Sequence, residues 1–130
     1  MSTPTILCVD DEPFLLVSFR QVFKRERYTV LTAPGAKEAL NLLAQQPIDV
    51  LITDQRMPGM TGLQLLREVK LMYPRVFRVL MTGHMDEKQL IEASTEEDVQ
   101  RIIYKPWDVV ELQSTFREIL EAQGASQGQT

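Results

Sequence analysis

The chain has 130 residues, 44% of them hydrophobic and 25% charged, with a net charge of −4. That suits one globular domain with a core of its own, and the single Cys8 excludes a disulfide framework within the chain. The acidic balance and the lack of a lysine/arginine cluster argue against direct nucleic-acid binding. The absence of a signal-peptide pattern and of an apolar run of membrane-spanning length makes the cytoplasm the expected compartment.

Taken in order, Thr5-Ile6-Leu7-Cys8-Val9 predicts a buried strand that ends in Asp10-Asp11-Glu12-Pro13. Pro13 fits the first turn of a helix, where acids also suit the helix dipole. Phe14, Leu15, Val17, Phe19, Val22 and Phe23 predict its apolar face. A second strand is predicted at Tyr28 to Thr32. Pro34-Gly35 then turns the chain into a helix from Ala36 to Gln45, with Ala39, Leu40 and Leu43 inward. Val50-Leu51-Ile52 predicts a third strand, buried on both faces and ending on Asp54. Pro58 and two glycines make the next stretch a loop, and Thr61 can cap a helix beginning near Gly62. Leu63, Leu65, Leu66, Val69 and Met72 mark that helix. A fourth strand follows at Val76 to Met81, a fourth helix near residues 87–93, and a fifth strand at Gln100 to Tyr104. The last helix carries Val109, Leu112, Phe116, Ile119 and Leu120, and a polar Gly/Gln/Ser-rich stretch closes the chain. Five strands alternating with five helices, joined by right-handed crossovers, predict an α/β fold. It is a doubly wound, five-stranded parallel sheet of order 2-1-3-4-5, flavodoxin-like in architecture.

In such a sheet all strands point their carboxyl ends to one side. Asp10 and Asp11 follow the first strand, Asp54 the third, Thr82 the fourth and Lys105 the fifth. Three converging carboxylates repel one another unless a cation offsets them, and an all-oxygen set with room for water suits Mg²⁺. Lysine and threonine can hold oxygens of an anion. Together these are the parts for phosphoryl transfer to a carboxylate, with Asp54 as nucleophile.

With these residues in place, the chain resembles the receiver domain of two-component response regulators from Thr5 to about Glu121. The matching residues are Asp10-Asp11, Asp54 with Met57-Pro58, Met60 and Gly62, Thr82-Gly83, and Lys105-Pro106. The resemblance implies that Asp54 accepts a phosphoryl group from a histidine kinase or a phosphotransfer protein. It implies that Asp11, Asp54 and the Arg56 backbone carbonyl bind Mg²⁺, with Asp10 acting through water. Lys105 and Thr82 would contact phosphoryl oxygens, and Gly83 would leave room for the phosphate. A domain over residues 1–122 is expected, with 123–130 as a flexible tail or the start of a linker. The run Lys105-Pro106-Trp107-Asp108 is similar to receivers that precede HD-GYP cyclic-di-GMP phosphodiesterase modules. Many receivers carry an aromatic switch residue three positions before the lysine, where this chain has Ile102. A face made of the fourth helix, fifth strand and last helix, including Ile102, Tyr104 and Trp107, is the expected route to an output domain in cis, a protein partner or a homodimer. The lone His84 reads as an exposed loop residue.

The reading is a switch rather than a turnover enzyme. An aspartate-nucleophile phosphatase of the haloacid dehalogenase type would need a second Asp where Arg56 stands. A flavin carrier would need a phosphate loop where Asp10-Asp11-Glu12 would repel one. A pseudo-receiver scaffold, which is not phosphorylated, is the remaining alternative.

Overall fold

Strands with apolar residues on both faces need cover on both sides. The computed structural model describes residues 3–83 and 97–128, with side chains to Gly124. Its strands are β1 (Thr5–Val9), β2 (Thr29–Ala33), β3 (Val50–Asp54), β4 (Phe77–Thr82) and β5 (Arg101–Tyr104). They pair in parallel in the order β2-β1-β3-β4-β5, as the alternation predicts. The helices are α1 (Pro13–Val22), α2 (Ala36–Gln45), α3 (Gly62–Met72) and a C-terminal helix, Val109–Gly128. The helix predicted near residues 87–93, and His84, lie outside the described residues.

Strand alternation divides the core in two. Leu7, Val9, Leu51 and Leu80 point to one side, where Ala39 and Leu43 of α2 and Leu65, Leu66 and Val69 of α3 cover them. Ile6, Cys8, Val50, Ile52, Val79 and Met81 point to the other. There they meet Phe19 of α1 and Leu112, Phe116 and Ile119 of the C-terminal helix. Phe19, Phe23 and Phe116 form a ring cluster with centroids 5.0 to 5.7 Å apart, in the tilted and edge-on geometries that aromatic quadrupoles favour. Cys8 is fully buried, and burial raises its thiol pKa, consistent with an inert structural cysteine. Among the described residues, no helix is long and apolar enough to cross a membrane.

Four predicted apolar-face positions turn to solvent instead. Phe14, Val17, Met72 and Val109 are 82%, 59%, 58% and 49% exposed. On α1 the inward stripe runs through Leu15, Leu16, Phe19, Val22 and Phe23, which leaves Phe14 and Val17 on the outer side. The C-terminal helix also continues to Gly128, through residues whose composition suggested a tail. Ala122 and Ala125 favour helix and no proline interrupts them, and Gln123 Nε2 donates to the Asp49 carbonyl at 2.9 Å.

Arg78 is a further departure from an ordinary strand pattern. It sits in β4 yet is buried, and its guanidinium donates to the carbonyls of Val76 (3.1 Å), Glu97 (2.7 Å) and Asp98 (3.1 Å). Burial lowers its pKa, opposed by Asp98. Asp98 pairs with Arg67 at 3.4 Å and with Lys70 at 3.7 Å. The segment entering β5 is thus tied to α3 and to the start of β4.

Candidate functional site

The site lies at the carboxyl edge of the sheet because parallel topology collects there whatever follows each strand. Val9 pairs with Thr53 and Asp54 with Met81, so Asp10 and Asp54 emerge from adjacent strands at nearly the same height. Thr82 pairs with Tyr104, and the Lys105 amide donates to the Thr82 carbonyl at 2.8 Å. This brings Lys105 across the edge. Its Nζ lies 3.1 Å from Asp10 Oδ2 and 3.1 Å from Asp54 Oδ1.

Asp10 is buried, Asp54 half-buried and Asp11 exposed, and oxygens of all three lie within 4.8 Å of one another. The second Asp10 oxygen accepts the Glu12 amide at 2.9 Å, which holds the turn into α1. Burial raises the Asp54 pKa. The hydrogen bond and charge of Lys105 lower it, Asp10 raises it, a bond from the Gln55 amide lowers it, and the net direction is up. For Lys105, burial lowers the pKa, but bonds to Asp10 and Asp54 outweigh it and the net direction is also up. The ammonium therefore stays charged between two carboxylates, while burial disfavours the charge of Asp54.

The β3–α3 loop is built to tight tolerances. Gly59 has φ of 81°, a conformation that favours glycine. A Cβ on Gly62 would stand 2.2 Å from the Asp54 carbonyl oxygen, so only glycine lets α3 start this close to the strand end. Thr61 caps α3 in a reciprocal box, accepting from the Gln64 amide at 3.2 Å while its own amide donates to Gln64 Oε1 at 2.9 Å. Met57 is buried, and the Thr53 hydroxyl donates to its sulfur at 3.8 Å. Gly83 lies beside Lys105, where an added Cβ would be an ordinary 3.7 Å from the Lys105 Cβ. Thr82 is fully buried at the end of β4, and Arg56 is exposed on the loop.

The residues predicted for the outgoing face divide. Ile102 packs with the α2–α3 side of the core, Tyr104 is exposed, and Trp107 stacks edge-on against Phe19 at 5.9 Å on the α1 side. All three nevertheless line a groove of about 510 Å³ between β5 and the C-terminal helix. Gln55, which motif reasoning passed over, is buried and accepts the Leu63 amide at 2.9 Å. Only its place directly after Asp54 would have drawn notice to it.

The donor set fits a small hard cation: all its side-chain ligands are carboxylates, and Asp11 opens to solvent where bound water can complete the shell. Such an ion would offset the repulsion and stabilise the folded chain by mass action, about 2.7 kcal/mol at a Mg²⁺ concentration 100 times the dissociation constant. The melting temperature is expected to rise with Mg²⁺ and to rise much less in Asp11→Ala. An equal rise in the variant, followed by differential scanning fluorimetry, would remove Asp11 from the ligand set.

Comparisons with known proteins agree with this geometry. The model of the response regulator receiver domain family matches residues 6–117. The chain is 39% identical over 120 residues to the hydrogenase transcriptional regulatory protein HoxA of Cupriavidus necator, covering 92% of this chain and 25% of that protein. It is 27% identical to sporulation initiation phosphotransferase F of Bacillus subtilis, covering 92% of this chain and 96% of that one. The chain therefore spans about a quarter of the first relative's length and nearly all of the second. Among solved structures, the signal receiver domain of an HD domain-containing protein from Pseudomonas fluorescens Pf-5 superposes with a TM-score of 0.90. It is 34% identical, with 100% of this chain and 96% of that one covered. With the family model matched over residues 6–117 and the parallel sheet in the order 2-1-3-4-5, the chain belongs to the response regulator receiver domain family.

Proposed function

We propose that this chain is a phosphorylation-controlled switch whose acceptor is Asp54. The observation that carries the reading is the Lys105 ammonium at 3.1 Å from both Asp10 and Asp54, beside a carboxylate cluster open to solvent through Asp11. An Asp54 oxygen attacks the phosphorus of a phosphohistidine on a sensor kinase or phosphotransfer protein. The phosphorus–nitrogen bond breaks and the histidine leaves with its electron pair. Asp10, Asp11, Asp54 and the Arg56 carbonyl would hold Mg²⁺, which when bound spreads the charge of the transferring group. Lys105 turns from Asp54 towards a phosphoryl oxygen, and the Thr82 hydroxyl donates to another. The chain thus catalyses its own modification and its reversal and turns over no other substrate.

The output is proposed to lie in cis or in a protein partner. Lys105-Pro106-Trp107 and the likeness to a receiver from an HD-domain protein support an output of the HD-GYP kind. The domain is taken to include the C-terminal helix through Gly128, with Gln123 tied to the Asp49 carbonyl. Thr82 ends β4 and Lys105 follows β5, so a movement there passes first to the segment before β5, to β5 itself and to the C-terminal helix. Ile102 is smaller than the aromatic residue common at its position, so the change should be one of backbone rather than of a turning ring. Amide hydrogen exchange with beryllofluoride as phosphoryl mimic should show changes across residues 88–107. Changes confined to α1 and α2 would refute this route.

The acceptor reading is tested with acetyl phosphate and Mg²⁺ by intact mass. The wild-type chain should gain one phosphoryl group, and hydroxylamine should remove it as it does an acyl phosphate. A chain that stays unlabelled would be a pseudo-receiver.

A further inference from the structure

We propose that Gln55 is a positioning residue for phosphoryl transfer, tying the acceptor end of β3 to the first turn of α3; the inference rests on the acceptor reading above. Two bonds carry it. The Gln55 carbonyl accepts the Gly62 amide at 3.0 Å. Its side-chain Oε1 accepts the Leu63 amide at 2.9 Å. Gln55 thereby satisfies two of the four amides that a helix start leaves without an intrahelical partner, those of Gly62 and Leu63, while the Thr61–Gln64 box satisfies the other two.

That division is unusual for a cap. Thr61 and Gln64 already form a complete capping box, so α3 has its terminating device without Gln55. What the glutamine adds is a link between helix and strand. Residues 56–61 become a short loop closed at both ends by one residue, and that loop holds the Arg56 carbonyl. The glutamine is buried, so its amide is withheld from water and its geometry is set by Leu63. Removing Oε1 leaves the Leu63 amide without its acceptor, frees the loop, and lets the end of β3 that carries Asp54 drift from the start of α3. Groups that orient metal ligands and nucleophiles matter because small misplacements are costly to both binding and rate.

A role limited to stability makes a different prediction, and Thr61 supplies the comparison. Thr61→Val removes a cap from the same helix without touching the Asp54 strand. Three properties of the full chain separate the two roles: melting temperature, Mg²⁺ affinity read from the fluorescence of Trp107, and the rate of labelling by acetyl phosphate at saturating Mg²⁺. Trp107 is the only tryptophan and lines a cavity with Lys105 and Gly83, so it reports on this edge. Gln55→Met should lower the melting temperature, weaken Mg²⁺ binding and slow labelling by about tenfold or more. Gln55→Glu, whose carboxylate can accept the same Leu63 amide, should restore most of the labelling rate. Thr61→Val should lose melting temperature alone. If Gln55→Met cannot be purified folded, Gln55→Asn, too short to reach Leu63, replaces it. Equal losses in the Gln55 and Thr61 variants, or wild-type values in Gln55→Met, overturn the proposal. A wild-type chain that takes no phosphoryl group overturns the acceptor reading instead, and the ratio of Mg²⁺ affinities still decides the role of Gln55.

Discussion

Asp54→Asn is expected to keep its unmodified mass under conditions where the wild-type chain gains a phosphoryl group. An amide oxygen is a poor nucleophile, and among the described residues no other acid at the edge is placed to replace Asp54. Asp10 has one oxygen on Lys105 and the other on the Glu12 amide, and Asp11 is exposed. Labelling should therefore fall to background; equal labelling of both chains would sink the assignment. The same substitution should raise the melting temperature of the metal-free protein at pH 7. The sign follows from linkage. Burial and Asp10 together hold the folded-state pKa of Asp54 above its ordinary value of 3.8, despite Lys105. An acid with a raised pKa opposes folding when ionised, and that cost fades as pH falls through the raised pKa towards 3.8. Asparagine carries no charge and escapes the cost. The gap between the two melting curves should thus narrow on acidification. Mg²⁺ should reverse the order at pH 7, because the variant has lost a charged ligand. A metal-free variant that melts below the wild-type protein would show that the Lys105 pairing outweighs the repulsion.

How far the site could be read from the sequence depends on which kind of information it needed. Asp10, Asp54, Thr82 and Lys105 could be placed together before any coordinates, because each is the residue at or just after a strand and parallel topology brings strand ends to one edge. The turn at Pro34-Gly35 and the cap at Thr61 were equally legible, being local chemistry. The phase of a helix was less so. Phe14 and Val17 belong to an apolar-rich stretch in which Leu16 is just as apolar, and only packing against Phe116 and the strands decides which stripe turns inward. The length of the last helix was misjudged because glycine and glutamine suggested a linker, while the Gln123 bond to Asp49 joins residues 74 positions apart. Arg78 shows the same limit: a charged residue inside a strand looks like an edge position, yet here it is buried on carbonyls of its own strand's start and of residues 97 and 98. Gln55 was invisible for a related reason. Its role is a bond from strand end to helix start, and a glutamine beside an active acid has no pattern of its own.

Gly62→Ala should do nearly as much damage to labelling as removing the acceptor, although Gly62 touches no phosphate. The added Cβ would sit 2.2 Å from the Asp54 carbonyl oxygen and 3.0 Å from the Asp54 carbonyl carbon and the Gln55 Cα. These are backbone atoms, so no side chain can swing aside. Either α3 withdraws from the strand end or the end of β3 is displaced. Withdrawal stretches the bond from the Gly62 amide to the Gln55 carbonyl, now 3.0 Å, and the bond from Leu63 to the Gln55 side chain. Displacement moves Asp54 away from Lys105. Forcing atoms into a filled site costs about 3 kcal/mol, or roughly 10 °C in melting temperature for a domain of this size. Lost orientation of a nucleophile by even about 1 Å slows transfer about a hundredfold. The two effects can be told apart. Well below the variant's melting temperature its circular dichroism should match that of the wild-type chain, while labelling by acetyl phosphate stays low. Gly59→Ala, in the same loop, is the control. Nothing lies within 4 Å of its added Cβ, and only its φ of 81° resists the change, so it should lose stability but keep most of its labelling. A Gly62→Ala chain that labels at the wild-type rate would mean that α3 can shift without moving Asp54, and the close seating of helix on strand would then serve the fold alone.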